Sequence, residues 1–168
     1  GAHIDFCPLS FSLADLWVCW LTLRQHSLLP DRALYDDPRS RSLMSDSWRW
    51  EIEQGIQRKG SDLSTAETLR RDWLVTVETL FQQYDVLAAP AAQVFPFHAE
   101  AGPPAAIGGT ALDTYHQWLA ISVPASLAGL PVISLPIATA SATKMTGIQL
   151  MMPRGRDYDL LSIATKVE

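Results

Sequence analysis

Asp113-Thr-Tyr-His-Gln-Trp-Leu-Ala-Ile-Ser-Val-Pro-Ala-Ser-Leu-Ala-Gly-Leu-Pro-Val-Ile-Ser-Leu-Pro-Ile137 is the stretch around which the rest of the chain is organised. It predicts a short aromatic helix, a tight turn at Ala128-Gly129-Leu130-Pro131, and a strand from Val132 to Ile137 that is apolar except for Ser134. Helix, turn and strand follow one another with almost no polar spacer. That economy belongs to the interior of an α/β protein.

Outward from this stretch, the second half of the chain keeps the same character. Asp85 to Pro90 reads as a short apolar strand of the kind covered on both faces. Gly147 to Met152 reads as another strand, and Asp157 to Val167 as a closing helix with Leu160, Ile163, Ala164 and Val167 turned inward. Between the first strand and the opening stretch, 91–111 is rich in Ala, Gly and Pro, with Phe95, Phe97 and His98 embedded. Gly108-Gly109 within it reads as a flexible loop. A Thr/Ser/Ala loop follows Ile137.

The first 83 residues read as mainly helical. Ile4 to Cys7 is a strand candidate closed by Pro8. Ser12 is the expected N-cap of a helix carrying Leu13, Leu16, Trp17, Trp20 and Leu23. Leu29 to Pro38, with its two prolines, reads as a loop. A helix from Ser42 to Lys59 should turn Trp48, Ile52 and Ile56 to one side and stop at Gly60. Ser64 and Glu67 form a capping-box pattern ahead of a helix from Thr65 to Gln83, with Leu69, Trp73, Val77, Leu80 and Phe81 on one face.

Composition narrows the classes. The chain has 168 residues, 48% apolar and 18% charged, with a net charge of -5. That is enough for one sizeable core and speaks against general disorder. An acidic chain whose nearest approach to a basic cluster is Arg39, Arg41, Arg70 and Arg71 does not read as a nucleic-acid binder. Phe11 to Leu23 contains Asp15 and falls short of the roughly 20 apolar residues of a membrane span. It reads as a core helix, with no membrane partner expected. Cys7 and Cys19 read as buried thiols rather than a disulfide framework, which points to a reducing, cytoplasmic setting. The start at Gly1-Ala2-His3-Ile4 suggests a piece of a longer polypeptide.

No convincing catalytic set emerges from the residues alone. The Gly-x-Ser-x-Gly elbow is absent. The histidines His3, His26, His98 and His116 lack helical zinc spacing, and His98-x-Glu100 is a weak metal pair. Asp113, His116 and Ser122 are not spaced to share one helical face, so a triad there is disfavoured. Lys144 and Lys166 read as solvated side chains. The expectation is therefore no catalytic residue and no metal ligand in this chain.

Four motifs in order are similar to the amidase signature hydrolases: Tyr84-Asp-Val-Leu-Ala-Ala-Pro90, Ser126-Leu-Ala-Gly-Leu-Pro131, Val132-Ile-Ser-Leu-Pro136, and Gly147-Ile-Gln-Leu-Met-Met-Pro153 with a helix after it. Asp113-Thr-Tyr-His-Gln-Trp118 also resembles bacterial general amidases. The resemblance is loose before Tyr84. It implies an α/β fold, the carboxy-terminal part of a mixed sheet with helices on both faces, over 1–168. It further implies hydrolysis of carboxamides to carboxylate plus ammonia or amine by two serines and a lysine in an amino-terminal part, with no cofactor. That part, and a small-molecule amide, would be the partners, and a homo-oligomer is left open. Matching back from Pro131 places Tyr115, Trp118 and Ser122 on the acyl wall of the substrate channel, and their i, i+3, i+7 spacing independently gives one helical face. Lys144-Met145-Thr146 departs from the family, which usually has Leu-Pro there. The rival expectation is a stand-alone, non-catalytic binding or scaffolding domain. An isolated piece of this kind should expose sheet edge and self-associate.

Overall fold

The computed structural model describes residues 3–7, 10–137 and 145–167. Its first half is helical. Helix α1 (Leu13–Ser27) begins where the Ser12 hydroxyl accepts a hydrogen bond from the Asp15 amide at 3.2 Å. This is the expected N-cap, and it satisfies one of the amide groups a helix start leaves unpaired. A 3-10 turn (Leu29–Asp31), α2 (Arg32–Asp36) and α3 (Pro38–Leu43) follow. The loop expected over Leu29 to Pro38 is therefore corrected to helix. Pro30 and Pro38 both stand in first turns, where the missing N–H costs nothing, and the Asp37 carboxylate caps α3 by accepting from the Ser40 amide at 2.8 Å.

Helix α4 (Asp46–Gln57), capped by Ser45, is shorter than the expected Ser42 to Lys59. Gly60 does not stop it but opens the next helix, α5 (Gly60–Leu80). There the Asp62 carboxylate accepts from the Lys59 amide at 2.9 Å, so the Ser64–Glu67 box is corrected as well: Ser64 lies inside the helix and donates to the Gly60 carbonyl. Of Trp48, Ile52 and Ile56 only Ile52 is fully buried, because α4 turns Glu51, Ile52 and Gly55 inward.

Gly55 sits where α4 crosses α1. A Cβ built there would lie 2.6 Å from the Gln25 carbonyl oxygen. Backbone cannot yield as a side chain tip can, so Gly55→Ala should destabilise the protein by about 1–3 kcal/mol, an overpacking cost. A lowered denaturant midpoint with unchanged slope would report it, and an unchanged midpoint would show the helices free to separate.

The second half carries the strands. β1 (Leu87–Pro90), β4 (Val132–Ile137) and β5 (Thr146–Met151) form one sheet in the order β1-β5-β4, both pairs antiparallel, with Leu87 and Val132 each opposite Met151. Both outer strands alternate exposed and half-buried positions along most of their length instead of being covered on both faces. β2 (Ala106–Ile107) and β3 (Thr110–Ala111) make a small hairpin, so Gly108-Gly109 is its two-residue turn rather than a flexible loop. Residues 3–7 form no strand, and Ile4 and Phe6 are about nine-tenths exposed. A strand needs a neighbour to pair with, and none of the described residues supplies one. Pro8, the Thr/Ser/Ala loop expected after Ile137 and Lys144 lie outside the described residues.

Two apolar clusters result. In the helical layer, Leu16, Trp17 and Cys19 of α1 pack on Ala66, Trp73 and Val77 of α5 and on α6 (Val123–Ala128). Against the sheet, Leu160 and Ala164 of α7 (Asp157–Val167) meet Leu135, Leu150 and Met152, with Ile163 beside them and Val167 left exposed. The joint between the clusters is the Gly-Leu-Pro turn. Gly129 takes a left-handed φ of 63°, which ends α6 and returns the chain into β4. Arg154 holds the turn by donating from Nε to the Ala128 carbonyl at 2.7 Å.

Candidate functional site

The stretch from Asp113 to Ala128 does not form one aromatic helix. Residues 113–116 are a turn, Gln117–Ser122 a 3-10 helix, and only then does α6 begin. Pro124 accounts for the break: it has no amide to give the Ala120 carbonyl, and its ring would clash with that group in a continuous α-helix. The single face expected for Tyr115, Trp118 and Ser122 is therefore lost, and the three side chains go to three surroundings.

Trp118 meets Phe97 edge-to-face, ring centroids 5.3 Å apart. Together with Val94, Pro96, Met145 and Thr146 they line an open, mainly apolar groove of about 320 Å³ beside the first residues of β5. The wall is tied to the sheet by Gln149. Its buried side-chain amide donates to the Pro90 carbonyl at 2.9 Å and to the Ile121 carbonyl at 3.1 Å. Gln93 completes the tie by accepting from the Ile121 amide at 2.9 Å. Ser122 is exposed and spends its hydroxyl proton on the Leu119 carbonyl at 2.8 Å.

Tyr115 turns instead toward the helical layer, and there the structure holds a polar cluster that sequence reasoning missed. Glu51 is 1% exposed. Its Oε1 accepts from Arg24 Nε at 2.6 Å and from the Tyr115 hydroxyl at 3.1 Å, and His116 Nε2 lies 3.3 Å away. The His116 contact is electrostatic: both ring nitrogens, Glu51 Oε2 and Thr114 Oγ1 are buried without a hydrogen-bond partner among the described residues. Four rings surround the imidazole. Tyr115 stacks on it at 4.3 Å, Trp17 and Trp20 stand at 5.2 Å, and Trp50 at 6.2 Å.

Burial works against ionisation of Glu51, but the closeness of His116 and the hydrogen bond and charge of Arg24 outweigh it and hold the carboxyl below its usual range. Burial and the Glu51 charge push the Tyr115 hydroxyl up. Burial likewise raises the Cys19 thiol, with Arg70 opposing, and the thiol donates to the Ala66 carbonyl at 3.1 Å. A thiol so held is packing, not a nucleophile. Cys7 and Cys19 are both free, Cys19 buried and Cys7 only partly so.

His116 faces Glu51, Ser122 is committed to Leu119, and the Asp113 amide is held by the Gln117 side-chain oxygen at 2.7 Å, so the structure does not bring these three together as a triad. Among the described residues no group of three or more His, Cys, Asp and Glu could hold a metal, and no helix is long and apolar enough to cross a membrane.

The family model described as Amidase matches residues 25–161, and the chain belongs to the amidase family. It is similar to a glutamyl-tRNA(Gln) amidotransferase subunit of Prosthecochloris aestuarii, 32% identical over 105 residues, which are 61% of this chain and 20% of that protein. Among solved structures, a bacterial aryl acylamidase of the amidase signature family overlays with a TM-score of 0.80 at 19% identity, over 98% of this chain and 36% of its own. A 6-aminohexanoate cyclic dimer hydrolase overlays at 0.68 with 21% identity, over 95% and 35%. These likenesses show the fold, an α/β architecture of the amidase signature kind. The chain spans about a fifth of the curated relative and about a third of these solved structures.

Proposed function

We propose that this chain is the carboxy-terminal part of a cytoplasmic amidase that hydrolyses linear carboxamides to carboxylate plus ammonia or amine. Its share of the work is to shape the acyl side of the pocket. The two serines and the lysine belong to an amino-terminal part, which is its partner. The observation that carries this reading is the Trp118–Phe97 groove. A mainly apolar cleft with an aromatic wall, fixed to the sheet through Gln149 and Gln93, suits an acyl or aryl group, and the residues lining it offer no nucleophile activated by a base. The amino-terminal groups would supply the chemistry that acyl transfer demands: an activated hydroxyl and donors for the tetrahedral oxyanion.

The purified chain should release no ammonia from benzamide. Mixed with the amino-terminal part of the same enzyme it should do so, and in that complex Trp118→Ala should lower kcat/KM about tenfold, mainly through KM, as loss of uniform binding does. Turnover of benzamide by the chain alone would overturn the assignment of the catalysts. Failure of any amino-terminal part to restore activity would favour the non-catalytic binding domain.

A further inference from the structure

Glu51 is a fully buried carboxylate outside the groove, and packing alone does not call for it. Taking a charge out of water costs several kcal/mol before its partners return any of it, and apolar residues of similar volume often serve stability as well. What Glu51 does is join elements: α4 carries it, α1 brings Arg24, and the chain that leads to the groove brings Tyr115 and His116.

From His116 onward the backbone is a connected unit. The Leu119 amide donates to the His116 carbonyl at 2.9 Å, the Gln117 amide to the Thr114 carbonyl at 3.2 Å, and the Gln117 side chain folds back on the Asp113 amide. The far end of this unit is fixed to the sheet at Ile121. Trp118 lies between the two fixed ends.

We propose that Glu51 is a positioning residue for the aromatic wall: through Tyr115 and His116 it fixes the near end of the 117–122 turn and thereby the orientation of Trp118 in the groove. The proposal rests on reading the groove as the acyl wall for its consequence in binding, though not for the orientation itself. In a 3-10 turn each residue advances the side chain by a third of a revolution. A slip of one residue at the Glu51 end would therefore carry the indole off Phe97.

The test labels the tryptophans of the chain with 5-fluorotryptophan and assigns the Trp118 fluorine signal by its absence from Trp118→Phe. Glu51→Gln keeps the shape and removes the charge. It should shift or broaden the Trp118 signal and weaken benzamide binding about tenfold, as expected for losing bonds to a charged group. The Leu160 and Ala164 surroundings, in the other apolar cluster, should keep their methyl signals. Tyr115→Phe removes a single bond and should move the Trp118 signal in the same direction by less. A Trp118 signal unchanged in Glu51→Gln overturns the proposal. If that variant does not fold, Tyr115→Phe decides, an unmoved Trp118 again overturning it. Should the wild-type chain in complex with the amino-terminal part fail to bind benzamide while Glu51→Gln still moves Trp118, the positioning role stands and the acyl-wall reading falls.

Discussion

Trp73→Ala is expected to cost about 3–5 kcal/mol, a large fraction of the stability of a domain this size. Trp73 is the residue that closes the helical layer. It is 3% exposed, packs against Phe11 with ring centroids 5.6 Å apart, and donates its indole N–H to the Pro124 carbonyl at 2.8 Å. Truncation would therefore open a large cavity between α5 and α1 and also leave a carbonyl near the start of α6 without its donor. Trp73→Phe separates the two effects. It retains much of the apolar volume and should lose about 1–3 kcal/mol, mainly from the orphaned carbonyl. Chemical denaturation followed by circular dichroism measures both. A Trp73→Ala loss below that of Trp73→Phe would show that α5 and α6 are held together elsewhere.

Glu51→Ala should be comparably severe, about 3–5 kcal/mol, because it leaves the Arg24 guanidinium and His116 facing a hole instead of a carboxylate. The same group predicts an acid transition. Its folded pKa lies below its unfolded one, which is about 4.3 for glutamate, so the folded state binds fewer protons than the unfolded state in that window. The stability it contributes is in place above that unfolded value and is lost as pH falls through the depressed folded value. Wild-type protein should therefore lose stability more steeply below about pH 4 than Glu51→Gln, whose amide does not titrate. Parallel acid profiles would show that the Glu51 carboxyl titrates in the folded protein as it does in the unfolded chain.

Much of the fold could be read from local chemistry. Ser12 ahead of Leu13, Leu16 and Trp17 announces α1, the apolar run from Val132 to Ile137 announces β4, and Asp157 to Val167 is helix α7 as its spacing requires. The family emerged from the order of four motifs, none of them sufficient alone. What stayed hidden has physical causes. Pro30, Pro38 and Gly60 read as breaks, yet each stands in the first turn of a helix, where its peculiarity is harmless. Pro124 turned an apparent helical face at Tyr115, Trp118 and Ser122 into separate destinations. Glu51 was invisible because its neighbours in sequence say nothing about it. Its partners Arg24 and Tyr115 lie 27 and 64 residues away, and only the packing of α1 on α4 and on the 113–116 turn brings them together. Trp118 stands out by its family position, and the structure sets it in a groove. Tyr115 carried the same expectation and instead reaches the buried carboxylate of Glu51.

The order of the sheet has a temporal consequence for synthesis. Among the described residues β5 is the last strand in sequence and the middle one in space, so β1 and β4 each meet their partner in this sheet only once Met151 has been made. At the usual pace of translation, β1 waits on the order of several seconds for β5. The contacts of α1 with α4 and α5, by contrast, are available as soon as residue 80 emerges. The ribosome thus delivers a helical half able to settle early and two strands held in suspense.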